Sequence, residues 1–218
     1  MGELMKKKIY IALIVPAITV FGSCIVAANN RITNVVQSTE HTLKSTEVIQ
    51  GLKVSRTEGS IIAPDNIDDM ISKSDLIVIG KPTQSILEST PLIQRDSEGY
   101  VSEAISLTQF KIQRVLKGQP YADTIAIGQQ AAVLTDKRTA KTFLQVFDDY
   151  QPLVKNAKYI LFLRKGLNNS PLYFPYGVYY GKVNVDGSDQ AEDNIQSLDF
   201  QSIRKAVLQR FQQVANQT

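Results

Sequence analysis

The chain has 218 residues, 43% hydrophobic and 21% charged, which leaves room for one ordinary domain and a short additional segment. Its formal charge of +3 is concentrated early: the stretch up to Ala28 holds Lys6, Lys7, Lys8 and Glu3, so the remainder carries 21 basic against 20 acidic residues. With no clustered excess of Lys and Arg standing out after Arg31, a polyanion binder is disfavoured and no nucleic-acid partner is expected.

The first element is the run Ile9 to Ala28, 20 residues without a charge, preceded by the three lysines. At about 1.5 Å per residue such a helix just covers a hydrocarbon core of roughly 30 Å. Lysines before it and only Arg31 soon after orient the rest of the chain to the extracytoplasmic side. Three readings stay open: a retained transmembrane anchor, a signal peptide cut after the small residues of "VAA" at Ala28, or a lipoprotein signal in which "FGSC" offers Cys24 for lipidation. Phe21 and the apolar "IVAA" after Cys24 depart from the lipobox pattern, and a cysteine in a spanning helix also behaves as a small hydrophobe. The expected location is the cell membrane with the domain outside, the alternatives being a secreted or a lipid-anchored domain.

Residues 29–60 are polar, with scattered apolar positions, and read as a stalk. His41, the only histidine, lies there and reads as a solvated side chain. "APDNIDDMISKSD" predicts a short helix over Asn66 to Lys73, with acids in its first turns and Lys73 at its end. "SDLIVIGKP" predicts a buried strand over Leu76 to Ile79, stopped or bent at Gly80 and Pro82. "ESTPLIQRDSEGYVSEA" reads as a loop or partly ordered excursion, "SLTQFKIQRVLKG" as a long strand with one wet side and "DTIAIG" as its partner. "KYILFLRKG" reads as a central strand and "GVYYGKVNVDG" as another, ending in an Asp186-Gly187 turn. Phe200, Ile203, Val207, Phe211 and Val214 repeat at three and four, so an amphipathic helix closes the chain.

Short strands joined by long polar connections predict a mainly β domain with flanking helices, an OB-like antiparallel barrel, with α/β as the alternative. The expected organisation is an anchor or signal segment over 1–28, the stalk over 29–60, and an extracytoplasmic β-barrel domain with a C-terminal helix over 61–218.

The order "SDLIVIGKP", "FKIQRVLKG", a charged strand pair, "KYILFLRKG" and "GVYYGKVNVDG" resembles exported bacterial domains with a netrin or tissue-inhibitor-of-metalloproteinase-like OB fold. The resemblance spans roughly Asp75 to Gly187, with Val115 to Gly118 its most recognisable piece. It implies a barrel outside the cell and no established catalytic role. Protease inhibition is not implied, because the animal inhibitors use a cysteine-tethered N-terminus that this chain lacks.

One cysteine and one histidine, both before the domain, leave no residues for Cys/His zinc sites, Ser-His-Asp triads or thiol nucleophiles there. Gly80-Lys81 lacks the further glycines of a phosphate loop, so no cofactor is expected. Carboxylates are the remaining route to acid-base chemistry, with Asp148-Asp149 and the run Asp186, Asp189, Glu192, Asp193 as candidates. The plainer reading of Asp148-Asp149 is a solvated turn. "VDGSDQAED" fails the EF-hand spacing and reads as a hairpin turn leading into an acidic helix entrance, so no metal is expected. The densest aromatic stretch, "PLYFPYGVYYGKV", offers Tyr176, Tyr179 and Tyr180 as contact residues, against the plainer reading of core and barrel rim. The expected function is a non-catalytic extracytoplasmic interaction module, tethered to the membrane by its N-terminal segment and contacting an envelope protein or polymer. A carboxylate-dependent envelope-polymer hydrolase is the alternative.

Overall fold

The computed structural model describes residues 52–166 and 170–217; the leader, Cys24 and His41 lie outside the described residues. In chain order the elements are β1 (Lys53–Thr57), α1 (Ile67–Lys73), β2 (Leu76–Pro82), β3 (Thr90–Arg95), β4 (Val101–Lys117) and β5 (Thr124–Gln129). There follow β6 (Ala131–Thr135), β7 (Thr142–Phe147), β8 (Tyr159–Lys165), β9 (Tyr173–Pro175), β10 (Lys182–Asn184), a 3-10 turn at Glu192–Asn194 and α2 (Leu198–Asn216).

Five strands close a barrel in the order β2-β4-β5-β9-β8 and back to β2. The seam is short: Tyr173 of β9 pairs in parallel with Ile127 of β5 and antiparallel with Lys165 of β8. A strand of 17 residues can follow so small a barrel only by bending. β4 does so through register shifts opposite Ile77/Val78 and Ile79/Gly80, where an extra residue on the long strand sharpens its twist. Gly80 sits at one of these shifts because a Cβ there would collide with the Lys111 carbonyl oxygen. β2 continues through this bend to Pro82 rather than stopping at Ile79.

The unbroken apolar runs of β2 and β8 follow from burial on both faces. Leu76, Val78, Tyr159, Leu161 and Leu163 fill the barrel with Phe110, Ile125 and Ile127. Ile77, Ile79, Ile160 and Phe162 point the other way, onto a second core with Met70 of α1 and Phe200, Ile203 and Val207 of α2. Each of these fully buried side chains contributes about 1.5–3 kcal/mol. Both helices start at a capping side chain: Asn66 accepts from the Asp69 N–H and Ser197 from the Phe200 N–H.

β1, β7 and β6 form a separate small sheet in which β1 is parallel to β7. The end of the segment read as a stalk is therefore a strand of this sheet. The segment read as a loop is largely a hairpin, since β3 pairs with β4 from Thr90↔Leu107 to Arg95↔Val101. "GVYYG", read as strand, forms a turn, and only Lys182–Asn184 continues as β10. The α/β alternative is overturned: β2 runs antiparallel to both its neighbours, and among the described residues the two helices flank the barrel.

Candidate functional site

Tyr176, Tyr179 and Tyr180 bracket the reversal between β9 and β10. The Gly181 N–H donates to the Tyr176 carbonyl (2.7 Å) and the Tyr180 N–H to that of Gly177 (3.2 Å). Both residues between Tyr176 and Tyr179 are left-handed: Gly177 has φ 59° and Val178 has φ 64°, an uncommon conformation for a β-branched residue. The reversal drives the rings inward. The Tyr179 and Tyr180 rings stack at 4.9 Å, and both meet Phe200 of α2 edge-on, at 5.6 and 6.1 Å. The Tyr180 hydroxyl lies 3.2 Å from the Ser197 hydroxyl. With 6%, 6% and 4% of their surface exposed, Tyr176, Tyr179 and Tyr180 are core residues. The expectation that their rings form a contact surface is corrected: a side chain this enclosed presents almost no face to a partner.

The carboxylates of the other prediction lie beside them. Asp148, at φ 52°, donates its N–H to the Thr57 carbonyl at 2.8 Å and so terminates the small sheet. Partial burial, with Asp149 and Glu58 adding repulsion, holds the Asp148 carboxyl above its ordinary range. Asp149 is exposed, 4.0 Å from Arg56. Burial and the neighbouring Tyr180 push the Tyr179 phenol up, with Asp148 and Asp149 contributing. The two candidate sets thus converge at one corner. Asp148 and Asp149 leave it from a single turn, however, rather than from two walls of a cleft.

The acidic run divides. Asp186 is exposed and caps its own turn, accepting from the Ser188 N–H (3.1 Å) and the Lys158 N–H (2.9 Å). Asp189 and Glu192 are buried around Lys182, itself fully enclosed on β10. Lys182 Nζ is 3.0 Å from Asp189 Oδ2, 3.7 Å from Glu192 Oε2 and 5.1 Å from the centre of the Tyr159 ring. The Tyr159 hydroxyl donates to Asp189 Oδ2 (2.7 Å), while Arg204 of α2 reaches Glu192 (2.8 Å) and Asp193 (2.9 Å). The Asn184 N–H donates to both Glu192 oxygens, at 3.1 and 2.9 Å. Burial raises the Glu192 carboxyl against the pull of Lys182, and burial with the nearby Asp189 raises the Tyr159 phenol. Every carboxylate here has a protein partner. Among the described residues no cluster of three or more His, Cys, Asp and Glu could hold a metal ion.

The sequence reading missed a protruding arm. β4 pairs with β5 only from Ser106 on, so its first five residues and β3 extend past the barrel as a two-stranded ribbon. Asp96 shapes its tip, accepting from the Glu98 and Tyr100 N–H groups at 3.0 and 2.9 Å, with Gly99 left-handed at φ 87°. An isolated hairpin is marginal in water, and this one rests on the small sheet through Ala104 against Ala132 and Leu134. Every residue of β3 is exposed, including Leu92 (37%) and Ile93 (42%), which point to opposite faces, and Tyr100 at the tip is 59% exposed.

Comparison with protein-family models, with curated proteins and with solved structures finds no match.

Proposed function

We propose that this chain is a non-catalytic, extracytoplasmic interaction module, held at the membrane by its N-terminal segment, whose barrel is of the OB type and whose contact surface is the β3–β4 arm. The OB reading draws support from the ring order, a five-stranded Greek-key closure with one parallel seam. The observation that carries the binding reading is the arm itself. A ribbon that contributes little to the barrel core and exposes Leu92, Ile93 and Tyr100 has the aromatic and aliphatic content of a recognition surface. The tyrosine corner then supports the fold, and the partner, an envelope protein or polymer, meets the arm.

The test replaces Leu92, Ile93 and Tyr100 together by serine. All three are exposed, so each change shifts stability by no more than about 0.5 kcal/mol. Adducts formed by the full chain on crosslinking in its native membrane fraction should disappear. Undiminished adducts from a folded variant overturn the assignment of the arm.

The carboxyl of Asp148 favours a second reading, because a partly buried acid beside another carboxylate is the arrangement that retains a proton for acid catalysis. Under it the chain releases fragments from envelope polymer and Asp148→Asn abolishes that release while folding persists. Unchanged release in Asp148→Asn disposes of it.

A further inference from the structure

We infer that the β6–β7 turn, together with Lys53, is a docking surface for anionic lipid headgroups, which seats the domain on the membrane that its N-terminal segment enters. The inference rests on the tethered reading of that segment.

The turn carries Lys137, Arg138 and Lys141, all exposed. Its one acid is tied to the turn's own backbone: Asp136 Oδ1 accepts the N–H groups of Thr139 (3.1 Å) and Arg138 (2.7 Å), which hold that carboxyl below its ordinary range. Bonds from the Asp136 N–H to the Lys141 carbonyl (2.9 Å) and from the Ala140 N–H to the Asp136 carbonyl (2.8 Å) close the turn. The three cations therefore project from a well-defined hairpin end. The parallel pairing of β1 with β7 adds a fourth, because Lys53 lies opposite Phe143, two residues after Lys141. None of the four forms a salt bridge among the described residues. Lys73, Lys155, Arg204 and Arg210 each meet a carboxylate within 3.0 Å.

The small sheet is polarised. At the end away from Lys53, where Thr57 pairs with Phe147, stand Glu58, Asp148 and Asp149, with Arg56 against Asp149. The five-residue span of β1 sets the two ends roughly 15 Å apart, more than the Debye length of about 8 Å in physiological salt. A negative surface thus attracts the basic end without meeting the acidic one. The arm's tip lies near the basic end, since Val101 and Phe143 pack on one cluster. The tip brings Arg95 together with Asp96 and Glu98, so the cation excess at this end is that of the turn and Lys53.

Where the chain enters the domain selects a lipid partner. Leu52 immediately precedes Lys53, so the N-terminal segment arrives beside this turn. Between Ala28 and Leu52 lie 23 residues, which in any conformation span at most about 80 Å. The basic end is where the connection to the N-terminal segment joins the domain, and a contact weak in free solution is effective at the local concentration a tether imposes.

The experiment places the full chain in phosphatidylcholine vesicles and in vesicles mixed with phosphatidylglycerol, and follows amide hydrogen exchange over Asp136 to Lys141. Exchange should slow on the phosphatidylglycerol vesicles, and the protection should fade with added salt. It should vanish in K137Q/R138Q/K141Q, each cation being worth about a fivefold preference for the surface. Equal exchange on both vesicle types overturns the proposal. The two readings separate in the pelleting step. A chain that stays soluble with phosphatidylcholine but pellets with phosphatidylglycerol, and loses this in the triple variant, refutes the tether and supports the patch. A chain that pellets with both but shows no lipid-dependent protection supports the tether and refutes the patch.

Discussion

Tyr180 packs its ring on Tyr179 and Phe200 while its hydroxyl reaches Ser197, the residue that caps α2. Truncating it removes an enclosed aromatic and one tie to the helix start. Tyr180→Ala should therefore lower the unfolding free energy by about 3–5 kcal/mol, the cost of an emptied aromatic site. Tyr100→Ala, at the arm's exposed tip, should shift it by no more than about 0.5 kcal/mol. Urea titration of both variants checks the pair, and a Tyr180→Ala loss as small as that of Tyr100→Ala would return Tyr180 to the surface role it has lost here. The same chemistry that makes tyrosine a frequent contact residue, a flat apolar face with a polar tip, also suits a core position where the hydroxyl finds a partner. Composition does not separate the two uses. What separates them here is the left-handed pair Gly177-Val178, and a left-handed valine is not readable from a sequence.

At the scale of elements, glycines at two turns do different work. Gly118 follows β4 at φ 81°, and a Cβ there would collide with the Asp75 carbonyl oxygen, at the entrance to β2. Gly187, in the turn after β10, has φ 72°, but a Cβ there would meet no atom within 4 Å. Gly187→Ala should cost about 1–2 kcal/mol, the left-handed penalty alone. Gly118→Ala adds a backbone clash and should cost about 2–5 kcal/mol. Equal losses in thermal or urea unfolding would remove close approach as the reason for Gly118. α1, β2, β4 from Ser106 on, β5, β8 and α2 were legible because each carries its own signal: a cap with a 3.6 period, or an apolar run ended by glycine or proline. β1 and β3 were not, because an exposed edge strand has polar residues on both faces and the composition of a loop. The basic turn escaped notice for a related reason. Its three cations stand within five residues, but Lys53 joins them only through a pairing between residues 90 apart, Lys53 with Phe143.

For the whole molecule, the buried cluster around Lys182 adds a polar tie between three parts: the barrel through Tyr159, the acidic connection through Asp189 and Glu192, and α2 through Arg204. An enclosed ammonium is tolerated because two carboxylates and an aromatic face replace its water. A buried ion pair adds little net stability compared with well-packed apolar groups, but removing one member strands the other. Lys182→Met leaves Asp189 with only the Tyr159 and backbone donors, and leaves Glu192 leaning on Arg204 alone among the cations. It should cost about 3–5 kcal/mol in urea unfolding. The loss should also be spatially organised: amide exchange should quicken first over 186–197 and the start of α2, while β2, β4 and β8 stay protected below the unfolding transition. Adding Asp189→Asn to Lys182→Met removes one stranded charge and should recover part of the loss, so the two changes are not additive. If Lys182→Met matches the parent chain in both stability and exchange, the cluster does not clamp the helix, and the apolar face of α2, with Phe200, Ile203 and Val207, holds it without help from the cluster.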